Sequence, residues 1–124
     1  GNMEKFKEQL EIAYHSMKKL ENEWDKLDNH EKATIEQVEE ETGFYISDHL
    51  NEFLHDYKRF KDQLEDVHMV DGYTVFINDY GEMVVIIEND FVVVNEFNHL
   101  NSLKSKGVPN KSIRLLTNFY ISQL

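Results

Sequence analysis

Apolar residues in the first half of the chain recur at helical spacing. One stripe predicts an amphipathic helix over about residues 4–27, and it consists of Phe6, Leu10, Ala13, Met17, Leu20, Trp24 and Leu27. A second stripe predicts a helix from about Ser47, its expected N-cap, to Leu64. Between them, Thr34 and Gln37 fit a capping box and Gly43 fits a helix end, so a short helix is expected over about 33–42.

After Asp71-Gly72 the apolar period changes to two, and β-branched and aromatic residues predominate. This pattern predicts strands over about 73–77, 82–88 and 91–95, with a hairpin turn over 78–81 in which Gly81 takes positive φ. The strands should form an antiparallel β-meander, with residues 84–87 at its centre because they are apolar on both faces.

The remaining residues predict two further helices. The first has Phe97, Leu100 and Leu103 inward and ends near Gly107, and the second carries the apolar positions Ile113, Leu116, Phe119 and Tyr120. We therefore expect one α+β domain over 1–124. Its helical half (3–72) should pack on a meander of three or more strands (73–95), followed by C-terminal helices (96–124). Gly1 and Asn2 precede Met3 and resemble a remnant of an expression tag.

Charge adds a feature that the apolar pattern does not show. The chain has 24 acidic and 13 basic residues, a net charge of −11. Residues 21–56 contain twelve of the acids and only two lysines, so nearly all of the excess lies there. This balance favours a basic partner and argues against direct nucleic-acid binding, which concentrates Lys and Arg.

The sequence also narrows the cellular setting. The chain has no cysteine, which excludes disulfides and thiolate chemistry. Its longest strongly apolar run, residues 83–87, is far shorter than the roughly twenty residues of a membrane span. With no signal peptide visible, we expect a cytoplasmic protein that does not engage membranes.

Six carboxylates in the acidic region are the main candidates for binding. Three end the second predicted helix, and three lie at i, i+4 and i+8 on the third, where helical geometry directs them away from the apolar stripe; they are Glu39, Glu40, Glu41, Asp48, Glu52 and Asp56. They form either a solvated face or a partner-binding face. Tyr45 and Tyr80, in a crossover and at a hairpin tip, are additional interface candidates.

The sequence gives little support for catalysis, metal binding or DNA binding. The histidines and carboxylates lack metal-ligand spacing, the serines lack a nucleophile context, and no Gly-rich phosphate loop occurs, so we expect no enzyme activity, cofactor or metal. A helix-turn-helix over 34–60 would turn Asp48, Glu52 and Asp56 toward DNA phosphates, which is repulsive. The first helix has heptad spacing, but we expect it to pack on the sheet, leaving a monomer or weak homodimer.

Residues 34–57 resemble the opening of the SUKH superfamily. Ile35-Glu36 with Glu39 match a short acidic helix of the form Ile-Glu-x-x-Glu, Gly43 matches its break, and Phe53-Leu54 with Tyr57 match a Phe-Leu-x-x-Tyr pattern. The chain differs from the family at Ile46-Ser47, where Leu-Pro is usual, and at Lys58-Arg59-Phe60, where a Gly-rich segment is common. The resemblance implies an α+β fold and, as for many bacterial members, an immunity protein that neutralises a toxin.

Together these observations predict a non-catalytic acidic binding protein of the immunity type, which occludes the cleft of a basic toxin or nuclease. Two alternatives remain open. One is a phage or mobile-element inhibitor that imitates the charge of DNA and blocks a nucleic-acid enzyme or defence system. The other is a regulatory module whose partner has no connection with nucleic acid.

Overall fold

A computed structural model describes residues 1–95 and 100–124, which form two compact units, Gly1–Phe60 and Lys61–Leu124. The helices are α1 (Asn2–Asp25), α2 (Asn29–Thr42), α3 (Ile46–Glu65), α4 (Leu100–Ser105) and α5 (Asn110–Ser122). The strands are β1 (His68–Val70), β2 (Tyr73–Ile77), β3 (Met83–Ile87) and β4 (Asp90–Val94). The predicted α+β class, the order of helices before and after the sheet, and the antiparallel meander are confirmed.

Helix α2 begins four residues earlier than predicted. Asp28 is its N-cap: the Asp28 side chain accepts from the backbone N–H of Glu31, and the Glu31 side chain accepts from the backbone N–H of Asp28. The predicted capping box at Thr34 and Gln37 is therefore wrong, because Asp28 and Glu31 form the capping box six residues upstream. Gly43 ends α2 in the left-handed conformation (φ 70°), as predicted.

Helix α1 lies along the other helices of the first unit with most of its surface exposed, and none of its residues is buried. Tyr14 stacks on Tyr57 of α3 with ring centroids 4.1 Å apart and planes 10° from parallel. Near the other end, the Lys32 ammonium of α2 lies 6.0 Å from the Trp24 ring centroid. The predicted packing of the N-terminal helices on the sheet stays a prediction.

The second unit is built on a four-stranded antiparallel sheet of order β1-β2-β3-β4. Its register places Val85 of β3 between Val75 of β2 and Val92 of β4, and all three are buried. Strand β3 is internal, as predicted. The pattern analysis missed β1, because three residues are too few to show a period of two.

The core of this unit lies between the sheet and the C-terminal helices. Its buried members come from β2, β3, β4, α4, α5 and the loop before α5, and they are Val75, Met83, Val85, Val92, Val94, Leu103, Val108, Ile113 and Leu116. A polar tie joins the β1–β2 turn to α5, because buried Ser112 donates to the Asp71 carboxylate at 2.6 Å. Asp71 has a φ of 51°, which non-glycine residues rarely adopt.

The first residue of the predicted helix with Phe97, Leu100 and Leu103 inward lies outside the described residues, whereas α4 covers its later part. Helix α5 agrees with the last predicted helix. Across the two described stretches, the structure contains no helix with the length and apolarity needed to cross a membrane.

A hydrogen-bonded carboxylate organises the β2–β3 hairpin. The Glu82 carboxylate accepts from the side-chain amides of Asn78 (3.1 Å) and Asn95 (3.0 Å). The side-chain oxygen of Asn78 in turn accepts from the backbone N–H groups of Tyr80 and Glu82. Gly81 completes the turn at a φ of 75°, as predicted.

These bonds make the hairpin sensitive to acid. The amides of Asn95 and Asn78 favour the charged carboxylate and lower the pKa of Glu82 below its ordinary 4.5. A lowered folded-state pKa contributes stability above about pH 4.5, and this contribution disappears as the pH falls through the folded-state value. We expect E82Q to lower the melting temperature at pH 7 and the difference from the native chain to shrink below pH 4.5.

Thermal unfolding monitored by circular dichroism between pH 3 and 7 tests this dependence. E88Q, which changes a carboxylate in the following turn, is the matched control and should change stability by no more than about 0.5 kcal/mol, as most surface substitutions do. A melting-temperature difference between native and E82Q chains that is constant over this pH range would contradict the expectation.

Candidate protein-binding surface on the first unit

Five of the six predicted carboxylates are exposed on one part of the first unit. Glu40 and Glu41 lie in the last turn of α2, and the other three, Asp48, Glu52 and Asp56, follow one another along α3 at intervals of one turn. A helix rises 1.5 Å per residue, so the three α3 carboxylates span roughly 12 Å along the helix axis. The structure thus places five negative charges on a connected helical surface.

Glu39 is the exception, with only 5% of its surface exposed. Its carboxylate accepts from the backbone N–H of Ser47 at 3.2 Å and from the Ser47 hydroxyl at 3.1 Å. Ser47 lies in the first turn of α3, where backbone N–H groups have no partner within the helix. Ser47 was expected to cap α3 itself, but the cap comes from α2, because Glu39 reaches across the Gly43 turn. Glu39 therefore acts inside the unit and does not present its charge to a partner.

Tyr45 lies beside these carboxylates in the connection between α2 and α3. Tyr45 is 37% exposed, and its backbone carbonyl accepts from the N–H of His49. The negative charge of Glu40 is the main cause that raises the pKa of the Tyr45 hydroxyl, and partial loss of hydration and a hydrogen bond to Glu40 act in the same direction. Glu39 and Asp48 add smaller contributions. Tyr45 thus reports the negative potential of this surface.

Tyr80, the other predicted tyrosine, is 89% exposed at the β2–β3 hairpin tip. It belongs to the second unit, so it is not part of the surface formed within the first unit. Its interface role stays a prediction.

Exposed apolar side chains accompany the acids. In the fully described range 1–60, only Glu39, Leu50 and Tyr57 are buried. By contrast, Phe6 (53%), Phe60 (51%) and several other large apolar residues remain exposed. The first unit therefore leaves much of its apolar surface available for contact.

Part of that surface is a groove of about 480 Å³ between α1 and α3. Its walls come from Leu10, Met17, His49, Glu52, Phe53, Asp56, Tyr57 and Phe60. Tyr57, which lines the groove, also stacks on Tyr14 of α1 and so joins the two helices. The volume is in the range of ordinary ligand pockets.

The groove changes the predicted orientation of two carboxylates. Glu52 and Asp56 line it together with Phe53 and Tyr57, so they do not point away from the aromatic residues. At 100° per residue, Asp56 lies only about 60° around α3 from Phe53, and buried Leu50 lies on the opposite side of Phe53. The prediction treated the apolar stripe as one inward face, whereas α3 turns Leu50 inward and Phe53 toward the groove.

Several lysines in the described ranges pair with acids outside this surface. Their ion pairs are with Glu4, Glu21, Glu23, Glu65 and Asp90. On the surface itself, the His55 ring nitrogen contacts the Asp56 carboxylate at 2.8 Å. Asp48, Glu52 and Asp56 are exposed, so cations from outside the protein can reach them.

Metal binding by these acids finds no geometric support. Over residues 1–95 and 100–124, no group of three His, Asp or Glu side chains is placed to hold a metal ion. What the arrangement offers chemically is a set of hydrated carboxylates beside an apolar groove, which suits recognition of a cationic and partly apolar partner.

The capping role of Glu39 predicts a stability difference between adjacent glutamates. E39A should destabilise the chain by about 1–2 kcal/mol, because the donors of Ser47 lose their acceptor and α3 loses a cap. E41A, in which an exposed residue two positions later is truncated in the same way, should cost no more than about 0.5 kcal/mol. Urea unfolding followed by circular dichroism measures both; equal effects of the two substitutions would contradict the assignment.

Comparison with known proteins adds no relative. The sequence matches no protein-family model, and searches of curated proteins and of solved structures found no match. The SUKH resemblance of residues 34–57 therefore stays a prediction, and the function proposed below is argued from the surface itself.

Proposed function

We propose that this chain is a non-catalytic binding protein of the immunity type, which neutralises a basic toxin or nuclease by covering its cleft. The observation that carries the proposal is the row of exposed carboxylates on α3 beside an apolar groove. The proposal places the protein in the cytoplasm, where it acts without a cofactor. The SUKH resemblance of residues 34–57, if it reflects kinship, implies the same role.

The proposed mechanism separates encounter from retention. The five exposed carboxylates attract a positively charged partner from a distance and so raise the association rate. Once docked, Asp48, Glu52 and Asp56 pair with Lys and Arg around the cleft, where those cations would otherwise contact nucleic acid. Glu39, although charged, serves by fixing α2 to α3 and thereby orienting the other carboxylates.

The absence of catalysis is part of the proposal, and exposure supports it. A catalytic carboxyl works best in a water-excluded site that brings its pKa toward neutral pH. Glu40, Glu41, Asp48, Glu52 and Asp56 are instead open to solvent, where water screens their charges. Such groups suit recognition better than proton transfer.

The groove favours the immunity-type role over the alternative in which the protein imitates DNA. A DNA mimic gains little from apolar surface, because phosphate-binding clefts are themselves polar and cationic. Here exposed Phe60 and half-buried Phe53 lie beside the carboxylates. An apolar groove is typical of a partner recognised by shape as well as by charge.

Reversing the α3 charges should abolish partner binding without unfolding the chain. The variant D48K/E52K/D56K changes the net charge by +6 and replaces attraction by repulsion, so we expect at least a roughly 100-fold loss of affinity. The probe is a purified basic toxin or nuclease from the same host, with affinity measured by calorimetry and neutralisation measured as inhibition of its toxic or nuclease activity.

The control is E4K/E8K/E11K, which makes the same change of net charge on exposed residues of α1. It should bind within about fivefold of the native chain, because Glu4, Glu8 and Glu11 do not line the groove and exposed charges away from the contact are partly screened at physiological salt. Equal losses in both variants would contradict the α3 assignment, and native binding by the α3 variant would overturn it. If the only protein bound is a nucleic-acid enzyme of the host or of a defence system, the DNA-mimic alternative replaces the immunity role.

Salt should weaken the complex mainly through association. Because the attraction acts over a distance, raising the salt from 50 to 500 mM should slow association about tenfold or more, while dissociation changes much less. Stopped-flow mixing with the same partner measures both rates. An association rate that is insensitive to salt would contradict electrostatic steering by this surface.

A further inference from the structure

The groove follows one face of α3. The residues that α3 contributes are at positions 49, 52, 53, 56, 57 and 60, which is the i, i+3, i+4, i+7 series of a single helix face. From His49 to Phe60 this face extends for roughly 16 Å, or three helical turns. The opposite wall comes from Leu10 and Met17 of α1, two turns apart. The groove is therefore an elongated channel between two helices.

Its lining is asymmetric in charge. The α1 wall contributes the apolar side chains of Leu10 and Met17, whereas the α3 wall carries the carboxylates of Glu52 and Asp56. Phe53 and Phe60 lie on the α3 wall as well. An occupant that matches this lining needs a row of apolar side chains and, on one side of that row, positive charges.

The walls also restrict the backbone of the occupant. Both walls are helices, whose backbone N–H and C=O groups are already paired within the helix. An extended segment in the groove would find no backbone partners there and would leave its own polar groups unsatisfied. A helix satisfies its own backbone, and its side chains at i, i+4 and i+7 repeat at the same rise as Phe53, Tyr57 and Phe60.

A second copy of this groove is a poor occupant on electrostatic grounds. In a two-fold symmetric pair the same surface meets itself. Glu52 and Asp56 of one copy would then face the same carboxylates of the other, within a chain whose net charge is −11. Like charges brought together at an interface oppose association.

We propose that the groove between α1 and α3 is the docking site of a basic amphipathic α-helix of the partner, about three turns long. The inference rests on the proposed function and specifies which part of the partner is bound. Apolar side chains of that helix fill the space between Leu10, Met17, Phe53 and Phe60, and Lys or Arg residues along one edge pair with Glu52 and Asp56.

A designed peptide tests the recognition mode without knowledge of the partner. The probe is a labelled 15-residue Leu/Lys/Ala peptide with leucines at i, i+4, i+7 and i+11 and lysines flanking this stripe. Three comparison peptides have the same length: one has the same composition with the leucines scattered, one has proline at two central positions, and one has glutamate in place of lysine. Fluorescence anisotropy against the intact chain should show binding of the striped peptide and at least about tenfold weaker binding of the other three.

Two phenylalanines of almost equal exposure provide a matched pair of variants. Phe60 (51% exposed) lines the groove, whereas Phe6 (53% exposed) lies on α1 outside the groove lining. F60A should weaken the striped peptide about tenfold, as truncation of an interface anchor does, and F6A should leave the affinity within about twofold. E52Q/D56N should weaken the same peptide and reduce its salt dependence, whereas E8Q/E11Q should not.

The outcomes separate this inference from the proposed function. If the scattered and proline-containing peptides bind as well as the striped one, or if F6A and F60A behave alike, helix docking is overturned, while charge-directed binding of the basic partner stands. Failure of all four peptides to bind also overturns it. If analytical ultracentrifugation shows a dimer that F60A dissociates, a second copy occupies the groove and the inference is likewise overturned.

Discussion

The first unit depends on a carboxylate that joins two helices. Glu39 ends α2, and its side chain accepts the backbone and hydroxyl hydrogens of Ser47 at the beginning of α3. The bond bridges the turn at Gly43, whose positive φ lets the chain reverse within a few residues. Because Glu39 is buried in a unit with little other burial, this contact sets the direction in which α3 leaves α2. The positions of the exposed carboxylates and of the groove follow from that direction.

The sequence of α3 gives the helix three faces of different character. Leu50 faces inward, Phe53 and Phe60 face the groove, and Asp48 faces solvent, with Glu52 and Asp56 between the last two. Since a helix offers neighbouring faces only tens of degrees apart, apolar and acidic recognition lie side by side on one rigid element. In the proposed complex, long-range attraction and short-range fit would both come from the same twenty residues.

The sequence predicted most elements because their apolar patterns were long. The stripes of α1, α3 and α5 and the alternation in β2 to β4 specified helices and strands to within a few residues. Two local predictions were wrong because more than one residue near the start of the helix was able to cap it. Asp28-Glu31 displaced Thr34-Gln37 as the capping box, and Glu39 displaced the Ser47 side chain as the cap of α3. The spacing of residues in the sequence shows which of them are able to cap a helix. The folded structure decides which of them does so.

The candidate surface was only partly predictable for a related reason. Local charge density located the acidic residues correctly, yet it did not distinguish buried Glu39 from exposed Glu40. The groove was missed because the pattern counted Phe53 and Phe60 as core residues. Their position on the side of α3 next to Glu52 and Asp56 is visible on a helical wheel, but their exposure depends on how α1 lies against α3 through Tyr14 and Tyr57.

The uneven distribution of buried residues has a dynamic consequence. The second unit has a core of nine mutually packed side chains, whereas in the fully described first unit only three residues are buried. Local opening is easiest where few apolar contacts must break, so amide hydrogens of α1 should exchange with solvent sooner than those of β3. A ligand held between α1 and α3 would add the missing contacts and slow that exchange selectively. Hydrogen exchange would then locate an occupant of the first unit even before its identity is known.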